Sequence, residues 1–137
     1  MSYEFLENTA DVKFRAEGYT IEEMFISSAE ALNEVIRGDI KILAQKEKMF
    51  EIKVKDVESL LHDFLEEFLY LLDAEKFLYS NFKELKIDEE NLTLKATILG
   101  DSEENYTFTN DVKAVTYNEM VIKKAEGRYL CEVVLDV

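Results

Sequence analysis

Leu85-Lys86-Ile87-Asp88-Glu89-Glu90-Asn91-Leu92-Thr93-Leu94-Lys95-Ala96-Thr97-Ile98 is the stretch that decides the fold class. Leu85 and Ile87 alternate with charged residues, and Leu92, Leu94, Ala96 and Ile98 alternate again. A period of two puts every second side chain on one face of a strand. Asp88-Glu89-Glu90-Asn91 between the runs supplies a turn. Further strands follow directly: Val112 to Ile122 is rich in β-formers, Glu126-Gly127 turns the chain, and Tyr129 to Val137 is the last strand. Consecutive late strands pair antiparallel, which sets this half apart from an alternating parallel design. Both faces of the last strand are largely apolar, so it is expected to be central and covered.

The first half reads differently. Val12, Phe14 and Ala16 alternate with Lys13, Arg15 and Glu17, giving a half-buried strand. Thr20 and Glu23 then fit a capping box, in which hydroxyl and carboxylate satisfy backbone donors at a helix start. Ile21, Met24, Phe25, Leu32, Val35 and Ile36 recur at helical spacing, and Gly38 supplies the stop. Phe50, Ile52 and Val54 mark another strand, and Asp56 can cap a second helix. That helix carries the clearest apolar stripe in the chain, from Val57 through Leu60, Leu61, Phe64, Leu65 and Phe68 to Leu72. Glu58, His62, Asp63, Glu66 and Glu67 occupy its other face and read as solvated. The expected fold is α+β: mostly antiparallel or mixed β-sheet layers with two amphipathic helices packed on one side. Residues 1–137 read as one domain, since 137 residues fit one and no Gly- or Pro-rich linker interrupts them.

Composition narrows the function. Net charge is −14, from 30 acidic against 16 basic residues. Gripping phosphates needs a basic face, so direct high-affinity binding to nucleic acid is not expected. Lys123-Lys124, the best basic pair, is flanked by Glu119 and Glu126 and reads as a solvated strand edge. A negative field suits cations or a basic protein surface. The start of the chain lacks a basic and apolar leader pattern, and no apolar run approaches a membrane span. A cytoplasmic location and no membrane partner are therefore expected. Cys131 is the single cysteine and sits in an apolar run, so it reads as a buried thiol.

Little catalytic chemistry is available. His62 is the only histidine, which excludes His-rich metal sites, and it reads as a helix-face residue in solvent and not as the base of a Ser-His-Asp triad. No Gly-rich phosphate loop or EF-hand loop is present. Carboxylates remain, and they suit hard cations, Mg²⁺ or Ca²⁺. Asp11 closes Asn8-Thr9-Ala10-Asp11 just before a strand, and Asp136 is the penultimate residue of an apolar strand. If the first and last strands bring these together, two carboxylates, the Val137 terminus and a main-chain carbonyl converge. Such a cluster repels itself until a cation or a basic partner neutralises it. On spacing alone the plainer reading is favoured, with Asp11 a turn acid and Asp136 a frayed end.

Five stretches together resemble the archease family. They are Asn8-Thr9-Ala10-Asp11-Val12; Gly18-Tyr19-Thr20-Ile21-Glu22-Glu23; Leu60-Leu61-His62-Asp63-Phe64-Leu65-Glu66-Glu67-Phe68-Leu69-Tyr70; Val112-Lys113-Ala114-Val115-Thr116-Tyr117; and Leu135-Asp136-Val137. The resemblance implies a small acidic cofactor protein, not an enzyme. Archeases activate the tRNA-splicing RNA ligase RtcB, promoting guanylylation of a ligase histidine and multiple turnover with GTP and a divalent metal. Some members are linked to tRNA methyltransferases as chaperone-like modulators. The resemblance further implies that Asp11, Asp136 and Val137 form a divalent-cation site (Ca²⁺ or Mg²⁺), and it tips the balance toward that reading. Asn8 and Asn118 stand where histidine is common in the family, and asparagine cannot act as an acid or base. Asp101 stands where glutamate is frequent, and fits a turn role as well as a functional one.

Overall fold

Why the strand after Asp11 meets the last strand is settled by their side chains. In the computed structural model, which describes residues 1–137, the chain runs β1 (Ser2–Leu6), β2 (Val12–Gly18), α1 (Ile21–Arg37), β3 (Lys46–Lys53), α2 (Val57–Glu75), β4 (Phe77–Asp88), β5 (Thr93–Ser102), β6 (Ala114–Ala125) and β7 (Arg128–Asp136). One sheet has the order β1-β2-β7-β6 and the other β3-β5-β4. Every pairing is antiparallel. The expected α+β architecture is thus present, and β7 is central as its apolar faces required. Phe14 lies opposite Val133 and Ala16 opposite Cys131, all fully buried, while Arg15 lies opposite Glu132 on the outer face.

The two helices cover one face of each sheet. α1 packs on β1, β2 and β7 and reaches β4; α2 packs on β3, β4 and β6. Phe25 of α1 meets Phe64 of α2 at 5.2 Å between ring centres, and Phe64 stacks on Phe82 of β4. One continuous core results, and Cys131 sits inside it. Burial pushes its thiol up to about 11, so it is a spectator. Both helix starts are capped as their sequences indicate: Glu23 N–H donates to Thr20 Oγ1 at 3.1 Å, and Ser59 N–H donates to Asp56 Oδ1 at 2.7 Å. The Glu23 carboxylate closes its half of the box on the N–H of Tyr19, one residue before the cap.

The polar face of α2 departs from expectation. His62 is not solvated. Its ring stacks on Tyr117 at 4.2 Å, and Nε2 lies 2.9 Å from the carbonyl of Val115. The Glu66 carboxylate accepts the Val115 N–H at 2.6 Å. β6 is an edge strand, so the outward-facing donor and acceptor of Val115 have no strand partner. Two side chains one helical turn apart supply both bonds. This clasp joins α2 to the edge of the first sheet. Glu67, on the same helix face, is partly desolvated, which raises its carboxyl. Below the clasp β6 swells: Thr116 still pairs with Val134, but the next pair is Val121 with Glu132. Tyr117 to Met120 bulge out, with Glu119 at a φ of 55°.

Asp101, at the end of β5, is buried and serves the turn. Its carboxylate accepts from the Tyr106 hydroxyl and the Ser102 N–H, both at 2.8 Å. The Tyr106 hydroxyl in turn accepts from Leu43 N–H, tying in the segment before β3. These donors, the Tyr106 hydroxyl first, hold the Asp101 carboxyl below its ordinary value.

Two outcomes follow from these contacts. Glu66→Ala leaves the Val115 N–H without its acceptor and is expected to lower unfolding free energy by about 1–3 kcal/mol in urea titration, with Glu66→Gln recovering most of it; equal stability of all three proteins contradicts the clasp. For Asp101 the folded carboxyl titrates below the unfolded one, so on acidification the unfolded chain takes up the proton first. Its stabilisation is complete above roughly pH 4 and is lost as pH falls through the folded value. Asp101→Asn is therefore expected to be less stable than wild type at pH 7 and to show a shallower loss of stability below roughly pH 4, read from melting temperatures across that range.

Candidate functional site at the joined ends of the chain

The β2–β7 ladder ends at Val12 opposite Leu135. Beyond it, Asp136 is the last residue of β7 and Asp11 is the bend residue just before β2. On its other side Asp136 pairs with Ala114 of β6. Three of the five sequence stretches singled out above therefore meet at one end of one sheet. Neither aspartate side chain has a hydrogen-bond or ion-pair partner. Both residues are partly buried, as is Val137.

The main-chain carbonyl of Asp136 is already engaged. It accepts the N–H of Lys113 at 2.7 Å, one step beyond the ladder. That bond anchors the strand end and uses one of the carbonyl's two lone pairs. No group of three or more His, Cys, Asp or Glu side chains is arranged to hold a metal ion. A hard cation takes six to eight oxygens, so two aspartates and Val137 leave positions for water or for a partner's groups. The donor set is all oxygen, which fits Mg²⁺ or Ca²⁺ and not a thiolate- or imidazole-seeking metal.

The remaining candidates fall elsewhere. Asn8 is exposed in the loop before Asp11 and makes no side-chain hydrogen bond. Asn118 is exposed in the β6 bulge. Lys123 and Lys124 are exposed on edge strand β6, as their flanking acids implied; the Lys124 ammonium lies 5.0 Å from the Tyr129 ring centre. Glu119, expected beside them, pairs instead with Lys13 at 3.4 Å. Sequence reading missed β1 altogether. Its signal was present, since Tyr3 and Phe5 alternate with Ser2 and Glu4, but five residues are too few for that pattern to stand out. Phe5 thereby joins the surroundings of Asp11. No helix is long and apolar enough to cross a membrane.

Comparison with known proteins gives the family. Residues 3–137 match the model of the Archease protein family. A protein archease from Methanosarcina mazei is 37% identical over 139 residues, covering 98% of this chain and 95% of the relative. One from Methanothermobacter thermautotrophicus is 38% identical and covers 98% of both. The solution structure of Methanobacterium thermoautotrophicum protein 1598 superposes with a TM-score of 0.83 at 38% identity, over 98% of each chain. The crystal structure of an archease from Thermotoga maritima, described as a possible chaperone, shares the fold with a TM-score of 0.66 at 21% identity, over 96% of this chain and 94% of that one. With the family model spanning almost the whole chain and relatives above one-third identity, the chain belongs to the archease family.

Proposed function

We propose that this chain is a non-enzymatic activator of the RNA ligase RtcB, and that Asp11, Asp136 and Val137 hold the divalent cation it works with. The observation that carries the reading is the strand register that leaves Asp11 and Asp136 as neighbours just beyond Val12 and Leu135. Asp136 ends β7 and Asp11 immediately precedes β2, so both carboxylates flank the last pair of the ladder. Neither carboxylate is spent on another protein group, and two unpaired acids side by side favour a cation over each other.

The chain's own contribution is presentation. The rigid end of a central strand pair carries the carboxylates, and the Lys113 N–H fixes the strand end that bears Asp136. Inserted into a basic nucleotide-binding cleft, this acidic end places its ligands without a large ordering cost. A bound Mg²⁺ or Ca²⁺ supplies positive charge that offsets the charge of a nucleotide triphosphate. The partner's histidine performs the covalent step. Nothing in this chain is required to donate or accept a proton, which accommodates asparagine at positions 8 and 118.

Chaperone-like modulation of a tRNA methyltransferase is the second reading, which the family resemblance implies. It requires partner binding that persists when the aspartates are removed or a chelator is added, and co-purification under those conditions separates the two. For the leading reading the test is single-turnover guanylylation of the cognate ligase. Asp11→Ala and Asp136→Ala are each expected to lose acceleration by a factor on the order of 10–100 while melting near the wild-type temperature. Wild-type acceleration by both folded variants rules the cation role out.

A further inference from the structure

Beside Asp11 lies an open groove of about 440 Å³, between the end of the β1–β2 pair and the last turns of α1. Phe5, Val12 and Val35 supply apolar surface to it, and Glu7, Asp11 and Glu34 supply carboxylates. β1 builds it. Tyr3 lies opposite Ala16 and Phe5 opposite Phe14, both on the face that α1 covers. Tyr3 is closed off by its hydroxyl, which donates to Glu34 at 2.8 Å. Phe5, next along that face, remains 42% exposed although its cross-strand neighbour Phe14 is fully buried.

The charges around this phenyl ring are uncompensated. Glu7 and Asp11 have no hydrogen-bond or ion-pair partner, and Glu34 receives only the neutral hydroxyl of Tyr3. The one base in the lining, Lys13, is engaged elsewhere, 3.4 Å from Glu119 and 3.5 Å from Glu132. An exposed aromatic ring ringed by unpaired carboxylates is complementary to an apolar side chain flanked by cations. It repels phosphate-bearing surfaces. It also disfavours a second copy of this chain, because a two-fold contact sets the same acids face to face.

We propose that this groove is the docking site for a basic segment of the partner protein: one apolar side chain seats against Phe5 and Val35, and neighbouring Lys or Arg side chains pair with Glu7 and Glu34. This rests on the reading that the Asp11 end is presented to a protein partner, and adds the surface that holds it there. Affinity then resides in the groove and activation in the two aspartates.

The test measures two quantities on the intact chain with the cognate RtcB ligase: affinity by isothermal titration, and guanylylation rate at saturating chain. Phe5→Ala and Glu7→Lys, at an exposed position, are each expected to weaken affinity roughly tenfold, with the saturating rate at the wild-type level. Circular dichroism melting confirms that each is folded, and Glu7→Lys, in the loop, keeps the test valid should the edge strand suffer in Phe5→Ala. Salt is expected to weaken the wild-type complex more than that of Glu7→Lys. Unchanged affinity in both variants overturns the docking site while leaving the role of the aspartates standing. Failure of the wild-type chain to bind the ligase overturns both. A wild-type chain that sediments as a dimer, with Phe5→Ala a monomer, assigns the groove to a second copy and overturns the proposal.

Discussion

Antiparallel pairing of β2 with β7 is the contact on which the rest of this molecule depends. It joins residues more than a hundred positions apart, so its register has to be specified by side chains and not by a turn. The inner face does so by size: Phe14 against Val133 and Ala16 against Cys131 fill the space under α1. The outer face does so by charge. Arg15 donates to Glu132 Oε2 from Nε at 3.0 Å and from an Nη group at 2.7 Å, and Lys13 adds a contact at 3.5 Å. The Arg15 guanidinium holds the Glu132 carboxyl below its ordinary value. A slip of β2 by one residue would turn Arg15 into the core and Phe14 out to water. The same register that protects the core is the one that leaves Asp11 and Asp136 as neighbours, so stability and the candidate site share one specification.

The edges of the sheets show how side chains finish what strands leave open. β6 is closed by His62 and Glu66 of α2. β4 receives the Glu22 carboxylate at the N–H of Ile87, 3.2 Å away. β3 carries Lys46, Glu47 and Lys48, a charged edge that discourages further pairing. The acidic face of α2 is therefore partly structural. Its Glu66 is bonded to backbone and its His62 is stacked on Tyr117, which removes much of that face from consideration as a docking surface. β1 has no comparable closure near Phe5.

Much of this was legible in the sequence, and the gaps have local causes. Caps, stops and the apolar stripe of α2 are properties of neighbouring residues, so Thr20, Gly38 and Asp56 mark their helices directly. β4 begins at Phe77, well before the alternation at Leu85. Phe77, Leu78 and Tyr79 are buried consecutively, and register shifts at Tyr79/Asn81 and Phe82/Glu84 break the period of two. The bulge in β6 hides in the same way within a β-rich run. His62 could not be read at all. Its surroundings are built by Val115 and Tyr117, more than fifty residues on, and a polar residue on a helix face looks solvated until something packs over it. Asp11 and Asp136 were suggestive because each sits awkwardly at a strand end. Spacing alone could not pair them; the topology that does so is a long-range fact.

The distribution of charge matters more than its sum. A net charge of −14 is spread over a surface on which many acids are already matched, as Glu4, Glu119 and Glu132 are by Arg15 and Lys13. At the end that carries Asp11 and Asp136, neither aspartate has a partner, nor does Glu7, and Glu34 meets only a hydroxyl. Unmatched like charges held close by a rigid sheet raise the energy of the folded state slightly. Anything that neutralises them binds the folded chain in preference to the unfolded one and stabilises it by mass action. The β2–β7 register therefore gathers unmatched carboxylates at this end, and a cation or a basic partner that neutralises them gains there.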